Sequence, residues 1–148
     1  MIEPIYINRP VDARGVAMLM DYTYSIGIQE PVLDMHATLA YSTAPVDWDK
    51  PEFQMDPRPL TVSGGERKLS VFDGGAVVLE FESRAFSQRW AQFVMAGASW
   101  DHEGYRPHVT LGYVPGFSVE GISPLMSEIP FAEEVREWLA TDYEPLTA

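Results

Sequence analysis

Two hexapeptides carry the side chains of this sequence that could do chemistry: His36-Ala37-Thr38-Leu39-Ala40-Tyr41 and His108-Val109-Thr110-Leu111-Gly112-Tyr113. The chain has three histidines, and two of them stand at the same place in the same motif. Read as strands, the hexapeptides alternate their side chains between two faces. His36, Thr38 and Ala40 then share one face, as do His108, Thr110 and Gly112. Ala37, Leu39 and Tyr41, with Val109, Leu111 and Tyr113, form the apolar faces that alternation assigns to the core. Residues two apart on a strand are separated by roughly 6.6 Å, so one imidazole and one hydroxyl both reach a group the size of a phosphate. A pair of such strands would bracket it.

That set of groups suits phosphoryl chemistry. One neutral imidazole takes a proton from the nucleophile, and the other, protonated, gives one to the leaving oxygen. The threonine hydroxyls donate to the nonbridging oxygens, where negative charge grows in the transition state. The scheme calls for no metal and no cofactor. Threonine is a poor metal ligand, and neither motif has a carboxylate or cysteine at a ligand spacing. Two structural strands with satisfied histidines are the bland alternative, but they would have no reason to repeat six positions with matching faces. The third histidine, His102 in WDHEGY, reads as a surface or loop-anchoring residue.

The elements that must position these residues can be sketched from periodicity and punctuation. Pro4 to Asn8 alternates as a strand, and Pro10 and Asp12 then predict a helix running to about Ile26, stopped by Gly27 and Glu30-Pro31. Val32 to Ser42 reads as the strand bearing the first motif, and 43–59 as a proline-rich loop. Leu60–Ser63, Lys68–Phe72 and Ala76–Glu82 read as a meander of short strands separated by glycine turns. Ser83 opens an amphipathic helix with Phe86, Trp90 and Phe93 at helical spacing and Gly97 as its stop. The second motif strand follows and runs to about Val114. A strand near Leu125–Phe131 and a short irregular or helical end complete the chain. An α+β domain with antiparallel sheet results, and its two loosely similar halves suggest an approximate internal duplication.

Composition narrows the partners. A length of 148 residues suits a single domain spanning 1–148. The net charge of −12 argues against a protein that grips long nucleic acid, which requires a basic stripe. A small phosphorylated ligand in a locally donor-rich pocket is compatible with it. No apolar run approaches a membrane span, and the acidic, proline-containing start differs from a signal peptide. With no cysteine, the sequence fits a reducing cytoplasm. Protein partners are not legible.

The stretches HATLAYSTAPVDW and GASWDHEGYRPHVTLGY, with IYINRPV at the start and FAEE near the end, resemble the first type of phage anti-CBASS phosphodiesterase. That family lies within the two-histidine phosphoesterase superfamily, and CBASS is a bacterial defence that signals with cyclic oligonucleotides. The resemblance implies a bilobed fold, with antiparallel sheets around a central cleft and two main helices packed outside. It also implies metal-free cleavage of 3′–5′ bonds in cyclic di- and trinucleotides, in the host cytoplasm for a phage-encoded enzyme. His36 and His108 would be the acid–base pair, and Thr38 and Thr110 the phosphate contacts. Tyr6 matches a tyrosine that stacks on a base. Glu134, in FAEE, matches a glutamate in a stretch that closes over the ligand, although Ala132 and Glu133 depart from the family's pattern. Trp48 and Trp100, beside the two motifs, are candidate base platforms or loop packing. Alternatives are another two-histidine activity, on 2′,3′-cyclic phosphates or 2′–5′ linkages, a non-catalytic cyclic nucleotide sponge, and a structural protein on this fold.

Overall fold

Asp12 starts the first helix as its position predicts: the carboxylate accepts from the Gly15 amide at 2.8 Å, a cap worth about 1 kcal/mol. The computed structural model describes residues 1–139. Strand β1 (Ile2–Pro10) leads through this cap into α1 (Ala13–Ser25), and β2 (His36–Asp47) carries the first motif. Strands β3 (Leu60–Val62), β4 (Arg67–Phe72) and β5 (Ala76–Phe81) follow, then α2 (Arg84–Met95), capped by Ser83, whose hydroxyl accepts from the Phe86 amide. Strand β6 (His108–Tyr113) carries the second motif, and β7 (Ile129–Phe131) and β8 (Val135–Trp138) end the described chain.

Two three-stranded antiparallel sheets hold the motifs, ordered β2-β1-β8 and β4-β5-β6. Each motif strand is an edge strand paired to the central strand of its sheet, and the two edges, β2 and β6, lie in contact. The meander expected over 60–82 is only a β4–β5 hairpin. β3 leaves it to pair with β7, so that Leu60 stands opposite Phe131 and Val62 opposite Ile129. The end expected to be irregular or helical contains strand β8 instead, because Val135 to Trp138 supplies hydrogen bonds to the free edge of β1. The loop expected from Thr43 is shorter, since β2 runs on to Asp47.

The two halves obey one plan. In each, a central strand enters a helix, and the chain returns as a motif strand antiparallel to the first. The amide of Val11 donates to Met35 and that of Phe81 to Pro107, in each case to the residue before the motif histidine. The helices are exchanged: α1, which follows β1, packs on β6 and β7, whereas α2, which follows β5, packs on β2. Gly15 permits the first of these contacts, since a Cβ there would meet Val11 Cγ1 at 2.5 Å and Pro130 Cδ at 3.0 Å. Phe81, Phe86 and Phe131 pack edge to face or tilted, Phe53 stacks on Phe93, and all five rings are buried. Each such ring contributes on the order of 1.5–3 kcal/mol by leaving water. No helix among the described residues is long and apolar enough to cross a membrane.

Strict alternation fails in both motifs, at the same residue. Ile7 faces Ala40 while the next residue, Asn8, faces Thr38, so Leu39 is an extra residue on β2. Val77 faces Gly112 while Val78 faces Thr110, so Leu111 is extra on β6. Each is a β-bulge, which places two successive side chains on the buried side and then reverses the phase of the strand. Leu39 and Ala40 are therefore both buried, as are Leu111 and Gly112, while Tyr41 and Tyr113 are exposed. This corrects the sequence reading, in which the tyrosines met the core and Ala40 and Gly112 left space beside the phosphate. Gly112 is required by the core: a Cβ there would stand 2.9 Å from Ile28 Cγ2.

Candidate active site

Cross-strand register defines the face on which the site is built. His36 stands opposite Pro10, Thr38 opposite Asn8, and Tyr41 opposite Tyr6. In the other half His108 stands opposite Glu80, Thr110 opposite Val78, and Tyr113 opposite Ala76. Directly opposed residues share a face. His36, Thr38, Tyr6 and Tyr41 therefore lie on one surface, and His108, Thr110, Glu80 and Tyr113 on its counterpart.

Both imidazoles are held in the same way. His36 Nδ1 lies 2.8 Å from the Asp34 carbonyl, and His108 Nδ1 lies 2.8 Å from the Arg106 carbonyl. A carbonyl can only accept, so Nδ1 carries the hydrogen in each ring, and Nε2 is left as the atom that takes or gives a proton. In each motif the second residue before the histidine thereby fixes its tautomer.

What surrounds the rings differs. His36 stands edge-on to Tyr6, with centroids 6.2 Å apart, and the Asp34 carboxylate lies 4.0 Å from its Nδ1. The Tyr6 hydroxyl is 3.1 Å from Thr38 Oγ1. Burial pushes the Tyr6 phenol up to about 12, so it stays protonated and can donate to Thr38, which frees the threonine hydrogen for a ligand. His108 instead packs against the Phe72 ring at 4.8 Å, and the Arg106 guanidinium lies over that ring at 4.6 Å. Arg106 donates twice to the Glu80 carboxylate, at 2.8 Å each, and Ser70 donates to the same group. Burial raises the Glu80 carboxyl, but the bonds from Arg106 and Ser70 outweigh it and hold Glu80 below its ordinary value. Burial lowers His108 below its usual 6.5, and the nearby charges of Arg106 and His36 add to the effect, against its bond to the Arg106 carbonyl and the Glu80 charge. Among the described residues Thr110 Oγ1 has no side-chain partner, whereas Thr38 has Tyr6.

The residues anticipated from sequence thus separate into those that meet and those that do not. His36, Thr38 and Tyr6 meet on one half, His108 and Thr110 share a face on the other, and with β2 against β6 the charge of His36 reaches His108. Trp100 lies in the loop before β6, its indole N–H donating to the Gly104 carbonyl, with its ring edge-on to Trp90, His102 and Tyr105. Tyr105 stacks on Trp90 and donates its hydroxyl to the Thr38 carbonyl at 2.7 Å, fastening this loop to the first motif strand. Trp48 is 8% exposed, donates to the Glu3 carbonyl and lies under the Arg136 guanidinium, so it packs with the core.

Glu134 is buried away from the histidines. Arg89 donates to both of its oxygens at 2.8 Å, the Asp56 amide donates at 2.9 Å, and Arg9 approaches to 4.0 Å. Arg9 stands opposite Ala37, on the reverse face of β1 from Tyr6. These groups line a cavity of about 420 Å³ beside α2, which neither histidine borders. The cavity is spanned by its own ion pairs, so its charges serve to join α2 to the sheet. Sequence reading missed Phe72, Glu80, Arg106 and Tyr105. Arg106 alone had a local signal, its position two residues before a motif histidine.

The chain matches the family model described as Anti-CBASS protein Acb1 over residues 3–145. A protein of that description from Sphingomonas paeninsulae is 31% identical over 153 residues, covering 96% of this chain and 24% of the relative. One from Caulobacter sp. (strain RHG1) is 38% identical over 109 residues, covering 70% and 17%. One from Escherichia phage RB16 is 29% identical over 111 residues, covering 74% and 62%. The chain therefore spans a quarter or less of the length of these two bacterial relatives. Among solved structures, the fold is shared with a phosphoesterase, at a TM-score of 0.64 and 15% identity, and with E. coli LigT complexed with 3′-AMP, at 0.61 and 16%. Both likenesses cover 92% of this chain and 87% of the other. A bilobed α+β fold, a duplicated His-x-Thr strand and a match across nearly the whole sequence converge: the chain belongs to the anti-CBASS protein Acb1 family.

Proposed function

We propose that this chain is a phosphodiesterase that opens 3′–5′ bonds in cyclic di- and trinucleotide signals, and so counters CBASS, by acid–base catalysis without a metal. The observation that carries this reading is the paired geometry of His36 and His108, each with Nδ1 anchored to a carbonyl and Nε2 left to work. His108 is the base. Its burial and its packing on Phe72 keep it neutral at neutral pH, so Nε2 accepts the proton of the attacking hydroxyl. The new phosphorus–oxygen bond forms as the bond to the leaving ribose oxygen breaks, and protonated His36 supplies the proton that oxygen needs. The Asp34 carboxylate beside His36 is a charge partner only for the protonated ring. Thr38 and Thr110 donate to the nonbridging oxygens.

Incubation of the purified chain with 3′,3′-cyclic GMP–AMP in excess EDTA, followed by mass spectrometry, tests this reading. A linear dinucleotide is expected, and ligand recovered intact would exclude the activity. A 2′-deoxy ring distinguishes the nucleophiles: turnover persists if water attacks and stops if the ribose 2′-hydroxyl does.

A further inference from the structure

We infer that Tyr41 and Tyr113 form a matched pair of nucleobase platforms, one on each half, flanking the phosphate site. The inference rests on the proposed activity and deepens it, by naming residues that hold the bases. On an unbroken strand these tyrosines would share a face with Leu39 and Leu111. The bulges at those leucines return them to the face of the histidines and threonines, one side-chain spacing beyond each threonine, or roughly 6.6 Å. That spacing is of the order separating a phosphate from its own base in a nucleotide.

Both rings are open to solvent, Tyr41 at 45% and Tyr113 at 61% exposure, although the residues just before them are buried. Tyr6 braces Tyr41 edge-on at 5.9 Å, and Tyr113 stands opposite Ala76, whose methyl cannot cover it. Two large rings left exposed at the same bulged position serve no purpose in the core. They suit a ligand that carries a stackable base on either side of the cleaved phosphate, as a cyclic dinucleotide does. Every base offers a π face, so the pair supplies affinity with little preference among bases.

The test is steady-state kinetics of Y41A, Y113A, Y41F and Y113F on a cyclic dinucleotide and on the same ring stripped of both bases. Loss of one stacked base corresponds to about a 5- to 150-fold change in affinity. Each alanine variant is expected to raise KM within that range with kcat nearly unchanged, and each phenylalanine variant to restore it. On the abasic ring the alanine variants should match the wild type, because the partner of the ring is already gone. Unchanged KM on the intact ligand, or an equal penalty on the abasic ring, would overturn the platforms. If the wild type leaves the ligand uncut, the proposed activity fails while the platforms stay testable. Quenching of a 2-aminopurine cyclic dinucleotide by wild type, lost in Y41A and Y113A, upholds them, and its absence in wild type refutes them.

Discussion

The His36 half and the His108 half share a backbone plan, a bulge and a tautomer-fixing carbonyl, yet different groups lean on the two imidazoles. Beside His36 are a hydroxylated ring, Tyr6, which holds Thr38, and the carboxylate of Asp34. Beside His108 are an unsubstituted ring, Phe72, and the cation of Arg106, itself fixed by Glu80. A fold with two equivalent halves offers two equivalent histidines, but general acid and general base must differ in charge at rest. The neighbours of the two rings do differ: the Asp34 carboxylate stands beside His36, while burial against the Phe72 face lowers His108 despite the opposing charge of Glu80.

The largest effects should fall on what the halves have in common. His36→Ala and His108→Ala are each expected to lower kcat/KM by about 10²- to 10⁴-fold, with the double variant little worse than either single one. Additive losses would show that the two rings do not act in one step. Leu39→Ala and Leu111→Ala, at the matching bulges, should each destabilise the fold by about 2–5 kcal/mol in urea unfolding. Clearly unequal costs would show that the two bulges are not equivalent in the core.

Smaller effects should separate the halves. Thr110→Val is expected to cost on the order of 100-fold in kcat, as for removal of one donor to a developing charge. Tyr6→Phe, which only releases Thr38, should cost about 3- to 10-fold, whereas the reciprocal Phe72→Tyr should leave kcat within about twofold. Sensitivity to Phe72→Tyr would erase the distinction drawn between these rings. The smallest effect is in the pH profile. A base works unprotonated, and burial lowers His108 below 6.5, so the acid limb of kcat/KM should lie below pH 6.5. Phe72→Ala admits water to the ring, raises its pKa toward the ordinary value and should move that limb upward. A limb that stays put would assign the base to His36.

Much of this arrangement is legible in the sequence. The repeat of His-x-Thr, the caps at Asp12 and Ser83 and the helical spacing of Phe86 and Phe93 follow from local rules. The bulges do not, because one extra residue in a strand leaves no mark in composition. Leu-Ala and Leu-Gly look like an ordinary alternation of large and small, and the true phase emerges only when β1 and β5 are laid alongside. The partners of Glu134 are hidden from sequence for a related reason. An acidic residue in a polar tail reads as accessible, and its burial depends on Arg89, 45 residues earlier, and on the Asp56 amide. Phe72 and Glu80 reach His108 through tertiary pairing, which no local spacing encodes.

The exchange of helices between the halves bears on how such a chain can form at all. Neither β1–α1–β2 nor β5–α2–β6 covers its own motif strand, since α1 lies against β6 and α2 against β2. Half a chain would expose an apolar strand face and an apolar helix stripe with nothing to join them. Each half completes the other's core, so folding requires contacts between segments far apart in sequence and proceeds at the pace of a high-contact-order topology. On that ground neither half is expected to fold alone: two pseudo-equivalent pieces that look like independent modules should unfold as a single cooperative unit.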